Sequence, residues 1–197
     1  MEFKNEHNEK IVLPISWWQV LENNFSYLIF GKPIHKRREI WLSRAVAVVA
    51  SIVVIKDDVP YILINQRGSG AADFHGLWNI PCGYLDYGET SGEATIREVW
   101  EECGVDLTKL IGSSTVNYMD SVWDTNTLPT ENRQNVTLHH GLIANVDELP
   151  STSLENNEPD EVEDVKWIPL KDYKKYEYAF GHEKRIVKFI KKTKLKY

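Results

Sequence analysis

Two apolar repeats take turns along this chain, one of period two and one of period about 3.6, and the switches between them outline its elements. Residues 39–55 end in a nearly unbroken apolar run from position 45 and read as a long buried strand. Residues 61–66 read as its partner, with Lys56-Asp57-Asp58-Val59-Pro60 as the turn between them. Alternation over residues 111–122 and 135–146 predicts two further strands, joined by residues 123–134. That connection is long for a hairpin and rich in Asn, Thr and Pro, the kind of loop that is usually functional. Residues 164–170 predict a last strand, and residues 182–194 a helix with Ile186, Phe189 and Ile190 facing inward. Strands interrupted by a central helix and closed by a terminal one imply an α/β domain with helices on both faces of a mixed sheet.

The central helix carries the chemistry. Thr90 and Glu93 form a capping box at its start, and Gly104 stands where a left-handed C-cap is wanted. At about 100° per residue, Ile96, Val99, Trp100 and Cys103 share one face and Glu98, Glu101 and Glu102 the opposite one. Like charges at i,i+3 and i,i+4 cost a few tenths of a kcal/mol per pair, and from within the helix only Arg97 offsets them. A solvated acidic face is the bland reading of such a wall. A hard divalent cation would instead turn the repulsion into affinity, because it takes carboxylate oxygens and keeps waters for substrate phosphates.

The full spacing decides between the two. Gly83, five residues, Glu89, seven residues, Arg97-Glu98-Val99, one residue, Glu101-Glu102, one residue and Gly104-Val105 is a complete Nudix box. The chain therefore resembles the Nudix hydrolases. The approach Leu77-Trp78-Asn79-Ile80-Pro81 and the later Trp167-Ile168-Pro169-Leu170 also look like that family. One departure, Pro81-Cys82-Gly83 where many members read Pro-Gly-Gly, bears on the turn and not on the carboxylates. The resemblance implies an α/β/α sandwich and Mg²⁺- or Mn²⁺-dependent hydrolysis of a nucleoside diphosphate linked to another group X. The products are a nucleoside monophosphate and phosphorylated X, where the substrate is ADP-ribose, a sugar nucleotide or a modified nucleoside triphosphate.

Carried over by motif position, Glu98 and Glu102 ligate the metal, Glu101 ligates a further metal or orients water, and the Gly83 carbonyl completes the shell. Arg97 braces the glutamates, and Glu89 steadies the loop or ligates through water. The general base is a box glutamate or Glu161, with Glu158 and Glu163 as its neighbours. Arg67 is a candidate for a substrate phosphate, while Trp123 and Tyr118 are candidates for stacking on a base. His139 and His140 point to opposite faces of their strand, so at most one of them lines a site. Residues 68–73, rich in Gly and Ala, read as a mobile loop with no phosphate-loop fingerprint. A Pro about sixteen residues past the box, expected of many ADP-ribose pyrophosphatases, is replaced by Ser121.

Composition narrows the partners. At 197 residues and 42% hydrophobic the chain can bury one substantial core. A net charge of −6 argues against a broad nucleic-acid or anionic-membrane surface. Cys82 and Cys103 form no metal-ribbon spacing and suit reduced thiols in a cytoplasmic protein. No targeting segment is visible, and the longest apolar run is too short to span a bilayer. Residues 1–38 are expected to form an extension ahead of the Nudix domain at 39–197. Its aromatics, Trp17, Trp18, Phe25, Tyr27 and Phe30, should pack on the same domain or on a second copy in a homodimer. Two other readings stand beside the small-nucleotide enzyme. An RNA 5′-end pyrophosphohydrolase is disfavoured by the acidic charge, and a nucleotide-sensing module without turnover by the intact box.

Overall fold

The computed structural model describes residues 10–13, 17–30, 38–41, 45–127, 135–158 and 160–197. They fall into two units, with the boundary at Ala45/Val46 and with Asn135 joining the earlier one. In that unit β1 (Lys10–Leu13) pairs antiparallel with β2 (Arg38–Trp41), and α1 (Trp17–Phe30) lies between them in sequence. Helix α1 leaves Trp17, Trp18, Phe25 and Leu28 exposed and buries Asn23 and Ser26. The side chains of Tyr27 and Phe30 lie outside the described residues.

The expected strand at 39–55 is two strands. The two halves pair with different partners. β2 belongs to the first unit, while β3 (Val46–Lys56) is the centre of the second. There β3 pairs antiparallel with β4 (Val59–Arg67) and with the short β6 (Cys82–Tyr84), and parallel with β8 (Val136–Asn145). β5 (Trp78–Asn79) and β9 (Val162–Pro169) add to β4, and β7 (Thr115–Asn126) adds to β8. The sheet is therefore mixed, as expected.

Alternation along β3 splits the core into two layers. Val49 and Val53 pack beneath α4 (His182–Thr193), which contributes Ile186, Phe189 and Ile190. Ala50, Ile52 and Val54 pack on the opposite face against Val99 and Cys103 of α2 (Ser91–Cys103) and Leu107 and Leu110 of α3 (Leu107–Ser113). Two 3₁₀ turns, Leu170–Lys175 and Ala179–Gly181, lead from β9 into α4. The result is an α/β/α sandwich. Among the described residues no helix is long and apolar enough to cross a membrane.

Two expectations past the box need correction. Residues 111–113 belong to α3, whose N-cap Asp106 accepts a hydrogen bond from the Lys109 N–H at 2.9 Å, and the strand starts only at Thr115. The strand then runs through Trp123 to Asn126 instead of ending at 122, because a register shift between Asp120 and Asp124 keeps the pairing with β8. Within β8, Gly141 lies directly under the Phe189 ring, where a Cβ would overlap the ring. Gly141→Ala is accordingly expected to lower stability by roughly 1–3 kcal/mol through overpacking, read as a lower midpoint in urea at unchanged slope.

Candidate metal and catalytic site

Helix α2 is started and stopped by its own sequence. The Thr90 hydroxyl accepts from the Glu93 N–H at 3.3 Å, and the Glu93 carboxylate accepts from the Thr90 N–H at 2.8 Å. Gly104 closes the helix in the left-handed region at φ 67°, with its N–H donating to the Trp100 carbonyl. What the helix buries differs from the pattern-based expectation. Trp100 is 44% exposed while Glu102 is only 4% exposed, so the inward stripe runs Ala94, Thr95, Val99, Glu102 and Cys103. The helix is rolled toward its carboxylates because β6 presents Gly83 and the Cys82 N–H on that side.

Gly83 makes this possible. Paired with Val48 in β3, it sits against the Glu98 carboxylate so closely that any Cβ would coincide with it. The Cys82 N–H donates to Glu102 Oε2 at 2.9 Å. Hydrogen-bonded pairs alternate along an antiparallel ladder, and Leu85 N–H to Val46 O and Ala50 N–H to Pro81 O mark the bonded ones. That alternation directs the Gly83 carbonyl at β3 and the Cys82 carbonyl to the edge where Glu102 lies.

Arg97 holds the other carboxylates together. Its Nε and Nη2 donate to Glu89 at 3.1 and 2.6 Å, its Nη1 to Glu98 at 2.8 Å and Glu101 at 2.9 Å, and Nη2 also to the Tyr84 carbonyl at 2.8 Å. The same guanidinium leaves its partners in opposite states. Glu89 is held below the usual carboxylate range, first by its Arg97 hydrogen bonds and further by the Asp86 N–H. Glu98 receives a single Arg97 bond, and burial outweighs it, pushing the carboxyl up to about 7 with help from the charges of Glu101 and Glu161. Glu102 is also pushed well above the usual carboxylate range, by burial first and then by Glu98.

Among the described residues no three His, Cys, Asp or Glu groups stand together as a ready-made metal cage. The donor set is instead a pair of hard carboxylates, Glu98 and Glu102, each raised first by burial and then by neighbouring carboxylates, Glu101 and Glu161 at Glu98, and Glu98 and Glu161 at Glu102. Glu98 Oε1 is taken by Arg97 and Glu102 Oε2 by the Cys82 N–H, which leaves one oxygen on each for a cation. Such oxygens fit Mg²⁺ or Mn²⁺, whose charge would compensate the buried repulsion.

Glu161 reaches this pair from the segment before β9, and glycines seat it. The Gly68 N–H donates to the Glu161 carbonyl and the Gly70 N–H to the Asp160 carbonyl, each at 2.7 Å. A Cβ on Gly68 would collide with Asp160, which itself takes a left-handed φ of 61°. The segment expected to be a free loop is thus tied to the candidate base, and its Gly-x-Gly signal meant close backbone approach. Arg67 closes the same loop, donating to the Asp73 carbonyl at 2.8 Å and carboxylate at 3.1 Å. Its charge is felt at Glu102, yet these donors are committed to Asp73. Asn79, which the sequence did not single out, donates to the Ile80 carbonyl at 3.2 Å and to Cys82 Sγ at 3.4 Å, bracing the turn that delivers the Cys82 N–H.

The aromatic and histidine expectations fare differently. Trp123 is corrected to a core residue: it is 8% exposed, donates its Nε1–H to the His140 carbonyl at 3.1 Å and packs on Phe189, so no base can stack on it. The Tyr118 side chain lies outside the described residues. His139 lies beside Trp123 in the α4 layer, held neutral near pH 7 because burial lowers it to about 4. It takes no part in the carboxylate cluster.

The raised carboxyls make stability pH-dependent in a defined direction. Below about 4.5, the usual value, Glu98 is protonated in folded and unfolded chains alike; between there and about 7 only the folded chain keeps the proton. The share of stability that Glu98 contributes without metal is therefore expected to fall as pH rises across that window, by up to about 3 kcal/mol, with the decline due to Glu102 added to it. Urea unfolding in chelator should show Glu98→Gln losing the Glu98 share of this decline. A parallel decline in the variant would place its origin elsewhere.

Comparison with known proteins agrees with this geometry. A sequence model of the NUDIX domain matches residues 45–189. The chain is 31% identical over 121 residues to a putative mutator protein MutT4 of Mycobacterium tuberculosis (strain CDC 1551 / Oshkosh), covering 59% of this chain and 43% of that one. It is 28% identical over 112 residues to an isopentenyl-diphosphate Delta-isomerase of Cereibacter sphaeroides (strain ATCC 17029 / ATH 2.4.9), covering 56% and 58%. The chain thus spans about half the length of the curated relatives it matches. Among solved structures, the NUDIX domain of Shewanella oneidensis NrtR complexed with ADP ribose superposes with a TM-score of 0.57 at 20% identity, over 85% of this chain and 97% of that one. A bifunctional NMN adenylyltransferase/ADP ribose pyrophosphatase from Francisella tularensis, complexed with AMP and Mn ion, gives 0.56 at 23% identity, over 88% and 48%. At such identities these likenesses speak for the fold alone. Box, sandwich and domain match agree, and the chain belongs to the NUDIX domain family.

Proposed function

We propose that this chain hydrolyses a nucleoside diphosphate linked to a second group X, giving a nucleoside monophosphate and phosphorylated X. The observation that carries the reading is the buried pair Glu98 and Glu102, which Gly83 and the Cys82 N–H seat against β6, both raised first by burial and further by neighbouring carboxylates that include Glu161. Mg²⁺ or Mn²⁺ would be held by the two carboxylates and the Cys82 carbonyl, which takes the place expected of the Gly83 carbonyl because that one is directed at β3. Bound there, the ion supplies charge neutralisation of the phosphates and a lower pKa for a water.

The residues around it have separable tasks. Arg97 keeps Glu98 and Glu101 aimed alike while its bonds to Glu89 and the Tyr84 carbonyl fix the loop before α2. Glu101, more open to solvent than Glu98, orients water or holds a further ion. Glu161 takes the proton of the attacking water. As the new P–O bond forms, the anhydride P–O bond breaks and its electron pair leaves with the departing phosphate. The small-nucleotide reading is favoured over RNA by the net charge of −6.

Turnover is tested by a screen of nucleoside-diphosphate derivatives, with isopentenyl diphosphate included because of the isomerase relative, in Mg²⁺ and in Mn²⁺. Either ion should raise the melting temperature of the wild type, and Glu98→Gln combined with Glu102→Gln should abolish that rise. Glu161→Gln should lower kcat by about 10² to 10⁴ with KM little changed. A loss below about fivefold would hand the base role to Glu101 or a neighbouring glutamate.

A further inference from the structure

Resting on the reading of a nucleotide substrate, we propose that Phe74 and Phe180 form the platform on which the substrate's base stacks. The two rings stand 4.9 Å apart at 76°, two walls of a corner. Both are left in solvent, Phe74 47% and Phe180 40% exposed, although the same domain buries Phe189 completely. Each also sits on left-handed backbone, φ 55° at Phe74 and 54° at Phe180. Bulky side chains avoid that region, and neither residue recovers the cost by burial.

Hydrogen bonds beside the two residues tie this corner to the turn that delivers the Cys82 N–H. The Leu77 N–H donates to the Phe74 carbonyl at 3.1 Å, and the Gly76 N–H to the Arg67 carbonyl at 2.7 Å. On the other side, the Ile80 N–H donates to His182 Nδ1 at 3.2 Å, two residues after Phe180 and two before Cys82. Arg67 joins the corner to the carboxylates. Its guanidinium carbon lies 4.8 Å from the Phe180 ring centroid, while its charge acts at Glu102. Exposed aromatic rings with an arginine beside them stack the flat face of a base, with a cation–π contribution from the arginine. In the proposed substrate the base is the part with such a face, and its phosphates would run from this corner toward Glu98 and Glu102.

This role predicts that Phe180 can be lost to stability and not to binding. Asn tolerates the left-handed region, so Phe180→Asn relieves the backbone while removing the ring. The expected result is a melting temperature no lower than wild type, with AMP affinity by titration calorimetry weakened about 5- to 100-fold. Phe74→Leu should weaken AMP similarly, and Phe180→Trp should keep its affinity. Ribose 5-phosphate, which lacks the base, should bind all variants equally. During turnover of a nucleotide substrate, KM should rise in Phe180→Asn with kcat within about twofold of wild type.

The outcomes separate this inference from the hydrolysis it rests on. A wild type that binds AMP without turning over any nucleotide, and loses that binding in Phe180→Asn, upholds the platform while overturning the enzyme. Hydrolysis with unchanged KM and AMP affinity in the variants overturns the platform alone. A fall in melting temperature without loss of AMP affinity makes the pair structural. Equal losses for ribose 5-phosphate, or no AMP binding by wild type, overturn the platform as well.

Discussion

Everything at the candidate site depends on one guanidinium compensating more carboxylate than it can neutralise. Arg97 bonds to Glu89, Glu98 and Glu101 and anchors to the Tyr84 carbonyl. It satisfies Glu89, which accepts two of its N–H groups, and undercompensates Glu98, which accepts one in a more buried place. Glu102 lies beyond its reach and is met instead by the Cys82 N–H and the charge of Arg67. Uncompensated carboxylates in low dielectric are costly, and a small cation at that spot would relieve the cost. A lysine at 97 could not replace this arrangement, since its single ammonium lacks the planar fork that serves three carboxylates and a carbonyl together.

The second constraint is backbone proximity. Gly83 lets Glu98 lie against β6, and Gly68 lets the segment around Asp160 and Glu161 lie against the end of β4. Gly104 does the same for Ser153, whose N–H donates to the Cys103 carbonyl at 3.0 Å. In each case the absent Cβ permits a contact that brings a distant stretch of chain to α2 or its surroundings. The candidate base and the candidate metal ligands, about sixty residues apart in sequence, meet through such contacts.

The sheet supplies the rigidity. β3 is flanked by β4, β6 and β8 and buried on both faces, so the turn from Asn79 to Gly83 is held by the most enclosed part of the domain. Strained residues such as Phe74, Asp160 and Phe180 sit at the rim of that frame, where hydrogen bonds from it can sustain unfavourable backbone angles.

Local features were legible from residue order alone: the α2 caps at Thr90, Glu93 and Gly104, the apolar run of β3, the alternation in β8, and the box spacing. Each arises from neighbours within a turn or a strand, where the physics is short-ranged. Which side of α2 faces inward was not legible, because apolar content favoured Trp100 while the close approach of Gly83 and the Cys82 N–H drew Glu98 and Glu102 in. Trp123 likewise carried the same chemical promise whether buried or exposed, and only the register of β7 against β8 turned it into the core. The glycines of residues 68–70 looked mobile for want of a visible partner. Their partner, Asp160–Glu161, lies some ninety residues on, and only β4–β9 pairing brings it there. Residue order carried the caps, the apolar runs and the box, whereas packing chose which carboxylates lose their water, because desolvation belongs to the surroundings and not to the residue.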